Sequence, residues 1–196
     1  MALTRLSGTN AISGTLPAAN INNTSIGNVT ALPAGVGGKV LQAVQTVKTN
    51  RTTFSSSSFI DLTGLSLSIT PSSTSSKVLV SFSITHTGVD NYYGFVNLLR
   101  NSTILSQGDT DNSNRQECTL PLMCGPQDYT YARAKGLNAS FSFLDSPNTT
   151  SATTYKIQIK TNSGETIVIN GSDQDDQDYG WVYRGVSQIN AMEIAG

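Results

Sequence analysis

From Val40 onward, apolar and polar residues take turns along the chain. Leu65, Leu67 and Ile69 alternate with Ser66, Ser68 and Thr70. Val78, Val80, Phe82 and Ile84 alternate with Leu79, Ser81, Ser83 and Thr85, and Tyr155, Ile157 and Ile159 with Lys156, Gln158 and Lys160. Side chains two apart share one face of a strand, so a period of two sends one face into a core and the other to water. Further strands are expected at 40–49, 53–62, 93–99, 130–134, 140–144, 166–170 and 179–194. Residues 71–76 read as a polar loop. Asn162-Ser163-Gly164 reads as a tight hairpin between strands 155–161 and 166–170. No stretch carries a helical period with capping signals. Eight or more short strands on one core predict an all-β, antiparallel β-sandwich of jelly-roll type.

The first 38 residues obey neither period. Leu6, Ile12, Leu16, Ile21, Ile26, Val29, Leu32 and Val36 stand isolated among Ser, Thr, Asn, Gly and Pro, and Arg5 is the only charged side chain. Such a segment cannot bury enough apolar surface to fold alone. Polar spacing with recurring aliphatic side chains suits lying along another protein's surface. The expectation is an extended anchor arm over 1–38, gripping through Leu6, Ile12, Leu16, Ile21, Ile26 and Leu32, and an independently folding β domain over 39–196. Gly35, Gly37 and Gly38 punctuate the join, where glycine supplies flexibility.

Charge narrows the partners. Only 13% of the 196 residues are charged and the net charge is -1, against about 25% charged residues in an average domain. No basic field exists for nucleic acid or anionic lipid, and no run approaches the ~18 apolar residues of a membrane span. The opening residues lack the basic and apolar regions of a signal peptide, so the expected route out of a cell is lysis or a particle. Cys118 and Cys124 flank Pro121. They read as half-buried free thiols, with a small disulfide loop as the other reading. A Ser/Thr-rich sandwich with few lysines leaves its strand edges poorly defended, which oligomerisation would answer. In the last stretch, Trp181, Val182, Tyr183, Val186, Ile189, Met192 and Ile194 fall on both faces. That fits either a central strand or a contact with sister subunits.

Catalytic chemistry is thin, and neither a cofactor nor a metal is expected. His86 is the only histidine, so a Ser-His-Asp or Cys-His device would need it; the plain reading is a solvent-exposed histidine at a strand end. No Gly-rich phosphate loop precedes a helix. Asp173, Asp175, Asp176 and Asp178 could offer oxygens to calcium, as could the smaller group Asp109 and Asp111, but a solvated loop explains both. No pocket is marked for a raised carboxyl pKa of the glycosidase kind. Tyr92 and Tyr93, and Tyr129 and Tyr131, sit beside Asp and Asn at loop-to-strand junctions. They read either as a surface for sugars or proteins or as caps on the core. Asn-x-Ser/Thr triplets such as Asn28-Val29-Thr30 arise by chance in so polar a chain.

Several segments together resemble a known group. Ser13-Gly14-Thr15-Leu16-Pro17-Ala18-Ala19-Asn20-Ile21 resembles the connector near the start of many tailed-phage fibre and appendage proteins. Gly37-Gly38-Lys39-Val40-Leu41-Gln42-Ala43-Val44-Gln45 resembles the first strand of a β domain in marine and cyanobacterial phage structural proteins. There a segment like Leu65-Ser66-Leu67-Ser68-Ile69-Thr70-Pro71 is followed by a Ser/Thr loop and a strand like Lys77-Val78-Leu79-Val80. The end, Arg184-Gly185-Val186-Ser187 to Met192-Glu193-Ile194, is similar as well. The resemblance implies a homotrimeric β-sandwich hung on a virion by its N-terminus and assembled in the host cytoplasm. It implies a partner among the virion's own structural proteins (portal, adaptor, baseplate or major capsid protein) and contact with a host surface glycan or protein. The implied roles are a short fibre or appendage on tail or neck, or a capsid decoration or cement protein. A tail-associated glycan depolymerase is the enzymatic alternative.

Overall fold

The structure, a computed structural model, describes residues 40–88, 92–109, 114–124, 136–173, 180 and 182–196. All lie in the second of the two units into which the chain divides, Lys39–Gly196. Among the described residues there are eleven strands and no helix. They are β1 (Val40–Lys48), β2 (Thr52–Phe54), β3 (Ile60–Ile69), β4 (Lys77–Gly88), β5 (Tyr92–Arg100) and β6 (Thr103–Ile104). There follow β7 (Leu120–Cys124), β8 (Leu137–Asp145), β9 (Thr153–Thr161), β10 (Ile167–Ile169) and β11 (Ser187–Ile194).

Every pairing is antiparallel. The first sheet runs β1-β11-β4-β8, and the short pair β10 and β2 continues it beyond β11 on the same side of β4. The second runs β3-β9-β5, with β7 and then β6 along the far edge of β5. Take the main strands in chain order: β1, β3, β4, β5, β7, β8, β9, β11. Their order is first-eighth-third-sixth in one sheet and second-seventh-fourth-fifth in the other, which is the jelly-roll arrangement of two packed sheets. The expected fold class is therefore present.

The alternation builds the core as expected. Val78, Val80, Phe82 and Ile84 face inward from β4, Tyr155, Ile157 and Ile159 from β9, and Leu65, Leu67 and Ile69 from β3, all buried. Removing each such side chain from water stabilises the fold by roughly 1.5–3 kcal/mol. Phe82 meets Phe141 of β8 at 6.2 Å between ring centroids.

The structure departs from the expected strands in four places. The expected strand 53–62 is broken: Thr52–Phe54 joins the first sheet, and Ile60–Ile69 belongs to the second. Within β3 the register slips between Asp61 and Ser66 around Gly64, whose φ is +88°. That bulge keeps both Leu62 and Leu65 inward, a step of three that strict alternation forbids. The turn at Asn162 has the expected chemistry, with φ positive at Ser163 and Gly164 and Glu165 N–H donating to the Asn162 carbonyl at 3.0 Å. Yet it makes no hairpin. β9 stays in the second sheet while β10 crosses to the first, where β2 and β4 satisfy both its edges. Local turn chemistry fixes a reversal of direction and leaves the partner open. Strands β6 and β7 were not expected at all; β7 holds Pro121, and its inward residue Leu122 is fully buried. Finally, among the described residues of 179–194 the strand is Ser187–Ile194, and it is central, between β1 and β4. The expected strand 130–134 lies outside the described residues, as do Tyr179 and Trp181.

Three polar devices close the sandwich. Asp145, at the end of β8, accepts both from Arg100 Nη1 at 2.9 Å and from the buried Tyr155 hydroxyl at 2.6 Å, tying the first sheet to the second. Glu193 ends the inward row of β11 and accepts from Ser72 N–H (2.7 Å), Ser72 Oγ (2.6 Å) and Gln42 Nε2 (2.6 Å). Asn170, at φ +62°, donates to the Lys48 carbonyl at 2.7 Å and accepts from Ser187 Oγ at 2.6 Å.

Candidate interaction surface

The two sheets present unlike outer faces. On the second, Asp61 of β3 pairs with Lys156 of β9 at 2.8 Å and accepts from Gln158 Nε2 at 2.8 Å. Those bonds, Lys156 first, hold the Asp61 carboxyl below its usual range. Beside them Ser68 Oγ and Thr154 Oγ1 share a hydrogen bond of 2.8 Å. Further across, Thr119 lies over β5: its N–H donates to Asn97 Oδ1 at 3.2 Å, and Asn97 and Leu99 are buried although they point away from the core. This face is charged, covered and internally bonded.

The first sheet's outer face is different. Its register lines up Ala43, Met192, Leu79 and Leu144 in one row across β1, β11, β4 and β8. The next rows are Gln45, Asn190, Ser81 and Ser142, and then Val47, Gln188, Ser83 and Ser140. Leu144 is 54% exposed, Leu41 49%, Val47 47% and Met192 40%. Lys77 is the one charged residue at the margin, and its Nζ donates to Ser146 Oγ at 2.7 Å. The amides satisfy one another: Gln45 Nε2 donates to Asn190 Oδ1 at 2.7 Å and to Gln188 Oε1 at 3.2 Å. Across β4, Asn138 Nδ2 donates to Ser83 Oγ at 2.8 Å. The result is four strands of neutral surface crossed by an apolar row. β1 pairs only with β11 and β8 only with β4 among the described residues, so each keeps one open edge.

Sequence reasoning placed its binding residues elsewhere. Leu6, Ile12, Leu16, Ile21, Ile26 and Leu32, with Tyr129 and Tyr131, lie outside the described residues. Tyr92 opens β5, and its side chain also lies outside them. Tyr93 is exposed beside the β9–β10 turn; its N–H donates to Glu165 Oε2 at 2.7 Å, and its carbonyl accepts from Asn162 N–H at 2.8 Å. The neutral face was missed because β11, β4 and β8 each contribute only one or two outward apolar residues, and β1 scatters Leu41, Ala43 and Val47 along its length. Only the register adds them together.

His86 corrects its expectation. It is the next inward residue after Ile84, pairs with Ile169 and Leu137, and is 2% exposed instead of standing in solvent. The strand runs on to Gly88, so the position taken for a strand end lies inside the sheet. Burial lowers its pKa to about 4, leaving a neutral imidazole at pH 7. It borders an open cavity of about 460 Å³ with Leu120, Pro121 and Leu137. Ser140 also borders that cavity, but it belongs to the outward row of β8. Cys118 is a half-buried free cysteine whose thiol pKa is raised, chiefly by burial. Among the described residues no three His, Cys, Asp or Glu cluster as metal ligands. Asp175, Asp176, Asp178 and Asp111 lie outside them.

No protein-family model matches this chain, and no curated protein matches it. Among solved structures it is similar to infectious bursal disease virus. The Gx strain structure is 12% identical at a TM-score of 0.36, over 79% of this chain and 37% of that one. The Gt strain structure is 13% identical at a TM-score of 0.32, over 79% and 38%. The chain thus spans little more than a third of the length of those viral chains. So loose a likeness defines no common fold.

Proposed function

We propose that the protein is a structural component of a tailed-phage virion: a short homotrimeric fibre or appendage. Its N-terminal arm, through Leu6, Ile12, Leu16, Ile21, Ile26 and Leu32, holds another virion protein at the tail or neck. The jelly roll is presented outward for contact with a host surface glycan or protein. The observation that carries the reading is the neutral, partly apolar outer face of the β1-β11-β4-β8 sheet, on a domain that follows an arm whose one charged side chain is Arg5. Large exposed apolar surface on a soluble domain marks a place of contact. The segments resembling phage appendage proteins supply the particle. Binding and architecture are its work; the single histidine is buried, and burial lowers its basicity well below that of a general base poised near pH 7.

Quantifying the protein against the major capsid protein in purified particles tests this. A fibre is present in far fewer copies than the capsid protein, and an antibody against it decorates the tail or neck. The second reading, a capsid decoration or cement protein, uses the same neutral sheet face as a packing surface on the capsid, and it predicts copy numbers comparable to the capsid protein. Absence from the particle, or turnover of host polysaccharide by the purified protein, would overturn both.

A further inference from the structure

We infer that copies of this chain meet through the outer face of the β1-β11-β4-β8 sheet, with the row Ala43, Met192, Leu79 and Leu144 at the contact. This rests on the self-association proposed above and names its surface.

The occupant follows from the chemistry of the face. A partner recognised by charge has nothing to grip, because the three central rows carry no ionisable side chain. Another copy of the same face brings no like-charge repulsion. It offers apolar side chains to Leu144 and Met192, and Gln and Asn amides that both donate and accept. A two-fold axis would set this patch against itself, and a three-fold axis would repeat one contact within it; neutral amides that both donate and accept serve either. The size also suits. Four strands about 4.8 Å apart and eight residues long, at about 3.4 Å each, cover about 500 Å². Two such faces brought together withdraw about 1,000 Å², the lower bound for a specific contact, and three turned to a common axis share about 1,500 Å² among three contacts. The other sheet is unsuited, since Asp61 and Lys156 already pair there and Thr119 bonds the outward Asn97 of β5. Assembly through the first sheet also brings the open edges of β1 and β8 to the margins of the contact, where a neighbour shields them.

The test uses the full-length chain in light scattering and native mass spectrometry over a concentration series. Leu144→Asp and Met192→Asp change exposed side chains, so each monomer should keep its circular dichroism and melting transition. Each should raise the dissociation constant roughly thirtyfold or more, the scale of an interface hot spot. Thr154→Asp, on the other sheet's outer face, should leave the mass unchanged, and Leu144→Met should assemble like the parent. If an aspartate variant fails to fold, Leu144→Ser and Met192→Ser give the same ordering with a smaller shift. An assembled parent whose variants stay assembled overturns this surface and leaves self-association standing. A dimer dispersed by Leu144→Asp supports the surface and overturns the three-fold arrangement. A parent that is a single chain at every concentration overturns both, and the face then belongs to a different protein.

Discussion

At the scale of single residues, the packing makes sharp demands at positions that look ordinary in sequence. Gly94 lies inward on β5, where an added Cβ would overlap the Cδ1 methyl of Ile167 and crowd Leu122. Gly94→Ala should destabilise the domain by about 1–3 kcal/mol, the usual cost of overpacking. Pairing it with Ile167→Val, which removes the clashing methyl, should recover part of that loss in urea unfolding. Two titrations should be separable by pH. His86 has a folded pKa of about 4 against an ordinary 6.5. Between those values the unfolded chain takes up a proton that the folded chain refuses, so stability falls as pH drops from 6.5 towards 4. Burial works to raise the Glu193 pKa, but bonds from Ser72 and Gln42 outweigh it and hold the group at about 2 against 4.5. Its contribution is therefore complete above 4.5 and lost as pH falls towards 2. Unfolding midpoints across pH should lose the first slope in His86→Leu and the second in Glu193→Gln.

At the scale of elements, β8 is an edge strand with a fastening of its own. It pairs only with β4 among the described residues, and its end is fastened to the opposite sheet by Asp145 through Arg100 and Tyr155. The Tyr155 phenol has its pKa driven well up, first by burial and then by its bond to Asp145. Tyr155→Phe removes that bond and leaves the Asp145 carboxylate under-satisfied, at a cost of about 1.5–3 kcal/mol. Hydrogen exchange should show the loosening concentrated in Leu137–Asp145, with β4 and β9 nearly unchanged. Uniform loss of protection across both sheets would show that the bond supports the whole domain instead of fastening this one strand.

At the scale of the molecule, two dissimilar faces on one sandwich give it a direction: a charged, covered side and a neutral, open side. If residues 1–38 are the anchor, removing 1–36 should leave the jelly roll with an unchanged melting transition and abolish its incorporation into particles. Normal incorporation of the shortened chain would show that the attachment lies in the β domain. Within the arm, Leu16→Asp with Ile21→Asp should weaken attachment far more than Asn22→Ala with Asn23→Ala, because a carboxylate buried against an apolar groove costs several kcal/mol, roughly, and a polar rim change about 0.5 or less.

Sequence alone determined the fold class, the faces of β4 and β9, and the inward half of β3. Alternation is a local property, and a period of two fixes which side chains share a face whatever the strand pairs with. It located β1, β5 and β8 for the same reason. It left open what depends on contacts between distant segments. The turn at 162–164 could be read, but the crossing of β10 to the other sheet could not, since the edges that receive it belong to β2 and β4. The same alternation that put Val80 and Ile84 inward also pointed to His86, yet its position near a glycine suggested a strand end. Tertiary pairing extended β4 to Gly88 and buried the imidazole. The neutral face is the strongest case. Ala43, Leu79, Leu144 and Met192 are spread over 150 residues of chain, and of the four only Met192 stood in a stretch that sequence marked as a possible contact with sister subunits. Only the antiparallel register of β1, β11, β4 and β8 sets them side by side, because a patch is made of neighbours across strands and sequence records neighbours along them.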